Sequence, residues 1–214
     1  MYLSSAMVYG IPRRCPIDEQ HPVGPFLPYG ASKLAGEHMV NAFGRTFGLS
    51  VTIGRAFTLY GPGENPRHAG GEVSQFLRWQ LNGRAIAPAG DLKRKTRDFC
   101  HVGDLVAGLM LIAARGGDGE TYNIGSGVET SLDELADLVG SATGSEPRLR
   151  ADETVTDDTY RMVADIAKLR GLGYQPRKPL AEGVAELAAW LGERPELPAV
   201  DTVFKAGQRD RCGI

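Results

Sequence analysis

Apolar and polar positions follow two rhythms along this chain, and the rhythms alternate. Residues 1–8, MYLSSAMV, make a short apolar, β-branched and aromatic run ending before Gly10, which predicts a strand. Five prolines between positions 11 and 28 predict a loop. From Tyr29 to about Phe47 the pattern is helical: Leu34, Met39 with Val40, and Phe43 recur at spacings of three to five, and Glu37 and Arg45 fall off that stripe. Gly48 is a natural C-cap. Ser50 to Arg55 reads as a strand, followed by a turn at Tyr60-Gly-Pro-Gly63.

Beyond that turn the pattern predicts a helix over 71–82, a short strand over 85–88 and an extended stretch over 97–102. A strongly apolar helix, expected to be buried, covers 104–115. A strand over 121–124 is stopped by Gly125-Ser-Gly127. Ser131, with Glu134 three residues on, is a capping box that opens a helix ending near Gly144. A last helix covers 180–191, and residues 193–214 are expected to form a loose tail. Alternating strands and helices imply an α/β fold with a parallel sheet. No helical crossover precedes the first strand, although a parallel sheet needs several neighbours. The chain is therefore expected to be the C-terminal part of a longer protein, through a late gene start or a genuine truncation.

Composition narrows the picture. The chain has 214 residues, 42% of them hydrophobic and 23% charged, with a net charge of -2, so no global charge points to nucleic acid or an anionic membrane surface. No apolar run approaches the ~20 residues of a spanning helix. The three cysteines, Cys15, Cys100 and Cys212, form no C-x-x-C pair and fit a reducing, cytoplasmic setting. The four histidines are scattered, so no metal site is expected.

The sharpest chemical signal is Tyr29-Gly-Ala-Ser-Lys33. A tyrosine and a lysine at i and i+4 share one helix face. A free phenol ionises near pH ~10, too high for a base near neutrality. A neighbouring ammonium favours the phenolate, and a bound nicotinamide cation would do so further. Such a base can take a proton from a sugar hydroxyl while hydride leaves the carbon. Ser5, at a strand end, can complete the proton relay. Tyr-x-x-x-Lys also arises by chance in many helices, so Ser5, Tyr29 and Lys33 gain weight together, with 23 residues between Ser5 and Tyr29 and Pro28 opening the helix.

Five ordered stretches carry a resemblance: SSAMVYG (4–10), PYGASK (28–33), GRAFTLYGPG (54–63), TRDFCHVGDLV (96–106) and YNIGSG (122–127), with a weaker sixth, ADIAKLRGLGYQP (164–176). The chain resembles the extended short-chain dehydrogenase/reductase family, the NAD-dependent nucleotide-sugar epimerases and dehydratases. The resemblance implies the C-terminal strands of a Rossmann-like parallel sheet plus a small α/β nucleotide-sugar domain. It places residues 1–62 and 97–130 in the remainder of the dinucleotide-binding domain, and 63–96 and 131–192 in the substrate domain. It implies a catalytic triad of Ser5, Tyr29 and Lys33, with Tyr29 and Lys33 also meeting the cofactor. Phe57 would pack beside the nicotinamide. Thr58 (where the family usually has asparagine), Arg97 and Asn123 would bind substrate, Arg97 by gripping the diphosphate; as part of a tight strand end, Asn123 has an equal structural reading. The cluster Lys93-Arg94-Lys95 reads better as a solvated loop. NAD is the implied cofactor, with NADP as the alternative. The family's G-x-x-G-x-x-G turn, which cradles the pyrophosphate, has no counterpart in this sequence.

Dehydratases of the family place Asp-Glu after the hydroxyl residue, whereas this chain has Ala6 and Met7. That favours a 4-epimerase acting on a nucleotide-diphosphate sugar through a 4-keto intermediate. The alternatives are a 4-keto-sugar reductase, to which GDLKRKTRDF (90–99) has some likeness, a dehydratase, or a non-catalytic remnant without NAD binding. The resemblance also implies a homodimer through the Tyr29 helix.

Overall fold

The computed structural model describes residues 1–64, 70–88, 90–150 and 161–193. Cys212 and, from 194 onward, the tail expected over 193–214 lie outside the described residues. In chain order the elements are β1 (Tyr2–Ser5), a 3-10 turn (Ala6–Tyr9), α1 (Pro28–Phe47), β2 (Ile53–Ala56), β3 (Thr58–Tyr60), α2 (Glu72–Leu81), β4 (Thr96–Arg97), β5 (Phe99–His101), α3 (Val102–Arg115), β6 (Thr121–Ile124), β7 (Thr130–Ser131), α4 (Leu132–Thr143), β8 (Arg161–Met162), α5 (Ala167–Arg170) and α6 (Leu180–Gly192).

These elements divide into two compact units. The first comprises Met1–Leu59, Thr96–Thr130 and Arg161–Lys178. Residues 161–178 thus lie with the first unit, where the sequence reading had assigned them to the second domain. The reason is pairing at long range. β8 runs parallel to β4, Ile17 bridges Ala164, and the Ala164 amide donates to the Asp98 carboxylate at 3.2 Å.

At the centre of the first unit is a parallel sheet in the order β1-β2-β6. Its register sets Ser4 opposite Arg55 and Arg55 opposite Asn123, so one polar residue from each strand forms a row across the sheet. Neighbouring residues of a strand point to opposite faces. Gly54 therefore faces away from that row, towards Leu109 and Ile112 of α3. The row itself faces α1, whose Glu37 it holds. The sheet is covered on both sides, as a parallel sheet requires.

Three expectations are corrected here. The first strand stops at Ser5, because Ser5 caps a 3-10 turn instead of continuing the ladder. The apolar stripe of α1 is split: Leu34 packs against the core, Met39 and Phe43 are exposed together with Phe47, and Glu37 is only 3% exposed. The buried face is built from small residues and a neutralised charge: Gly44 packs on Val51, and Glu37 is matched by Arg55. α3 is half-buried, with Leu105, Gly108 and Ile112 inside and Val106 and Met110 exposed. The Gly48 cap of α1 does form, in the left-handed conformation.

The second unit comprises Tyr60–Lys95, Ser131–Tyr160 and Pro179–Ile214. Among its described residues α2, α4 and α6 pack together around Val73, Phe76, Leu77, Leu135, Val139, Val184 and Leu187. Ser131 and Glu134 form the capping box at the start of α4. The strand expected over 85–88 reduces to a single bridge, Ile86 to Leu149. Of the basic cluster, Lys93 and Arg94 are exposed and Lys95 is buried.

Candidate active site

The C-terminal ends of the parallel strands in the first unit gather the predicted chemistry. Ser5 closes β1 with an extended backbone, and its Oγ accepts the Met7 N–H at 3.2 Å. A hydroxyl that accepts one bond still has its own proton to donate. Tyr29 is the second residue of α1, behind Pro28, which suits a first helical position because it has no N–H to satisfy. The phenol is 55% exposed. Gly30 has no side chain for a reason: a Cβ there would strike the Met7 carbonyl oxygen. The first turn of α1 therefore rests directly on the turn that Ser5 caps.

One helical turn on, the Lys33 ammonium lies 5.8 Å from the Tyr29 ring centroid and 5.6 Å from that of Tyr2. It donates to the Leu3 carbonyl at 3.2 Å. The structure thus brings Lys33 beside Tyr29 at the strand end that carries Ser5. An exposed phenol and an ammonium here suit the ribose and nicotinamide end of a dinucleotide.

The remaining predicted residues fare differently. Phe57 is 4% exposed, with its ring tilted against Tyr9 at 6.4 Å between centroids. Its ring packs within the core of the first unit. Asn123 is wholly buried; its amide donates to Ile17 O at 2.8 Å and its Oδ1 accepts from the Tyr9 hydroxyl at 2.7 Å. These bonds bracket β6 to the proline-rich loop, as in the structural reading of this residue. Thr58 is half-buried, and its N–H donates to Asp98 O at 3.1 Å, which places β3 beside the Arg97 segment. Arg97 is 7% exposed, and its Nη1 donates to Thr96 O at 2.9 Å.

Two features were missed in the sequence. The fully buried Asp98 carboxylate accepts from Ser126 N at 2.6 Å, Ser126 Oγ at 2.7 Å, Gly127 N at 2.8 Å and Ala164 N at 3.2 Å. It ties the Gly-Ser-Gly turn to residues next to Arg97. The second is a buried polar network. Glu37 accepts from Ser4 Oγ at 2.5 Å and takes two bonds from Arg55, at 2.9 and 2.7 Å. The Arg55 guanidinium lies 4.9 Å from the Tyr9 ring centroid. Burial raises the Tyr9 phenol above its ordinary value, against the pull of Arg55. The only advance signal for this network was an acidic residue one turn past Lys33.

Comparisons with known proteins identify what this chain and its fold are similar to. A sequence model of the NAD dependent epimerase/dehydratase family matches residues 1–125. A putative UDP-glucose 4-epimerase of Methanocaldococcus jannaschii is 35% identical over 189 residues, covering 88% of this chain and 61% of that protein. The UDP-glucose 4-epimerase of Thermotoga maritima, solved with UDP-glucose, superposes with a TM-score of 0.81 at 29% identity, over 89% of this chain and 62% of that one. A dTDP-glucose 4,6-dehydratase of Streptomyces venezuelae, solved with NAD bound, has a TM-score of 0.78 at 31% identity, over 90% of this chain and 59% of that one. The chain thus spans about 60% of the length of the relatives it matches. Shared sequence and shared fold lead to one conclusion: this chain belongs to the NAD dependent epimerase/dehydratase family.

Proposed function

We propose that the protein is a nucleotide-sugar 4-epimerase in which Tyr29 is the proton acceptor and donor. The observation that carries this reading is the Lys33 ammonium, 5.8 Å from the Tyr29 ring centroid over the strand end that bears Ser5. Lys33 brings positive charge to the place where negative charge develops as the phenol gives up its proton. Ser5, oriented by the Met7 amide, would take the proton of the sugar 4-hydroxyl as its own hydroxyl proton passes to the Tyr29 phenolate, and both transfers reverse when the 4-keto group is reduced. NAD, when bound, supplies the hydride acceptor and donor for the C4 carbon. Lys33 would hold its ribose hydroxyls. Arg97, with its planar fork, would meet the diphosphate, and Thr58, whose N–H donates to the carbonyl of the next residue, Asp98, would meet the substrate beside it.

Ala6 is buried and Met7 half-buried, and neither transfers protons, which supports epimerisation over 4,6-dehydration. A 4-keto-sugar reductase is the second reading, on the strength of the Gly90–Phe99 stretch, GDLKRKTRDF. Cys15 and Cys100 are free thiols, which supports a cytoplasmic location. No helix among the described residues is long and apolar enough to cross a membrane. The exposed Met39, Phe43 and Phe47 of α1 support a homodimer through that helix.

The test uses the protein made from its native gene. UDP-, dTDP- and GDP-sugars are supplied with NAD, and C4 configuration is followed by NMR. Interconversion of 4-epimers supports the proposal. Net reduction of a 4-keto sugar supports the reductase. Nucleotide-sugar binding without NAD binding or turnover identifies a non-catalytic form.

A further inference from the structure

We infer that Glu37, held between Ser4 and Arg55, is a positioning residue that sets the Tyr29–Lys33 turn of α1 against the end of β1; this rests on the function proposed above. Tyr29, Lys33 and Glu37 recur every four residues and so follow one another along α1. Glu37 is 3% exposed, and both its oxygens are engaged: Oε1 by Ser4 Oγ and Arg55 Nε, Oε2 by Arg55 Nη2. Ser4 immediately precedes Ser5. One carboxylate therefore joins the helix that carries Tyr29 and Lys33 to the strand residue adjoining Ser5.

The attachment continues across the sheet. Arg55 sits between Ser4 and Asn123 in the register, its guanidinium lies on the Tyr9 ring, and Tyr9 donates to Asn123. The network thus links α1 to all three strands. A buried ion pair of this kind adds little net stability compared with apolar residues of the same volume, but it demands one geometry. The bidentate grip of Arg55 has a second effect. Glu37 stands at i+4 from Lys33, where a free carboxylate would pair with the ammonium. With Glu37 committed to Arg55, Lys33 bonds the Leu3 carbonyl and stays beside Tyr29.

The test replaces the pair by an apolar one, Glu37→Leu with Arg55→Met, which removes both charges together and leaves neither unpaired. Ser4→Ala is a second variant, which removes only the hydroxyl link and leaves the ion pair intact. Amide hydrogen exchange is measured along α1 and in β2 and β6, together with kcat and KM, with Tyr29→Phe as the control. The inference expects both variants to keep sheet protection while amides 31–35 exchange faster, by about tenfold in the double variant. It expects kcat to fall about 10- to 100-fold with KM little changed, the signature of misplaced reacting groups. Wild-type exchange over 31–35 in a folded variant, or wild-type kcat, overturns it. If the double variant fails to fold, Ser4→Ala decides by the same two readings. If the unmodified protein shows no Tyr29-dependent turnover, the proposed reaction fails, and the exchange of amides 31–35 alone decides the positioning role.

Discussion

Lys33 places its ammonium 3.2 Å from the Leu3 carbonyl and 5.8 Å from the Tyr29 ring centroid, so one side chain ties the helix that bears the phenol to the strand that ends at Ser5. This contact depends on how closely the helix approaches the strand. Gly30 sets that approach, because any side chain there meets the Met7 carbonyl. Gly30→Ala is expected to push the first turn of α1 off the Ser5 turn. Turnover should fall at least about tenfold, since small misplacements of reacting groups cost up to about 100-fold. Steady-state kinetics alongside circular dichroism checks this; wild-type kcat in the alanine variant contradicts the packing account.

Asp98 should matter for stability more than for chemistry. An isosteric Asp98→Asn variant keeps the shape and replaces one oxygen by an NH2 group. In either orientation that group faces backbone donors, Ser126 N on one side or Gly127 N and Ala164 N on the other. A buried polar group left unsatisfied costs roughly 1–3 kcal/mol, and two such groups predict a loss of about 2–6 kcal/mol. Urea unfolding measures it, and a loss under about 0.5 kcal/mol, the range of an ordinary surface change, would contradict the clamp.

Much of this was legible in local pattern. The Gly48 cap, the Ser131–Glu134 capping box and the Tyr29–Lys33 pair all depend on residues within one helical turn of each other. Glu37 was not legible. It lies off the apolar stripe, which normally means solvent, and only its pairing with Arg55, 18 residues away, allows it inside. The same cause hid the partners of Asn123, Tyr9 and Ile17, which lie more than 100 residues away. The exposed Met39 and Phe43 of α1 invert the usual rule because the buried face of the helix is made of Gly30, Glu37 and Gly44.

Stability should fall in alkali. Burial, and then the negative charge of Asp98, push the Cys100 thiol up to about 12. In an unfolded chain it would ionise near ~8.5. Between these values the unfolded chain releases a proton that the folded chain keeps. The contribution is complete below ~8.5 and is lost as pH rises towards the folded value. The slope approaches about 1.4 kcal/mol per pH unit for one group. Cys100→Ala removes that component, so the stability difference between wild type and variant should narrow from pH 8 to pH 10. A constant difference in urea titrations across that range would contradict the assignment.

The exposed stripe on α1 predicts self-association. Phe43 and Phe47 stack with centroids 5.4 Å apart and are both exposed. Phe43→Glu with Phe47→Glu should give a monomer by sedimentation, without loss of helix by circular dichroism. An unchanged dimer would move the interface elsewhere, and a wild-type protein that is already monomeric would remove it.

The most direct test is Tyr29→Phe, which deletes one oxygen from an exposed position and leaves the fold alone. Measured in the protein made from its native gene, with NAD and the nucleotide sugar it turns over, kcat should fall by at least about 100-fold while sugar binding persists, the scale expected for loss of a general acid–base group. Turnover within about twofold of wild type would show that another group moves the proton.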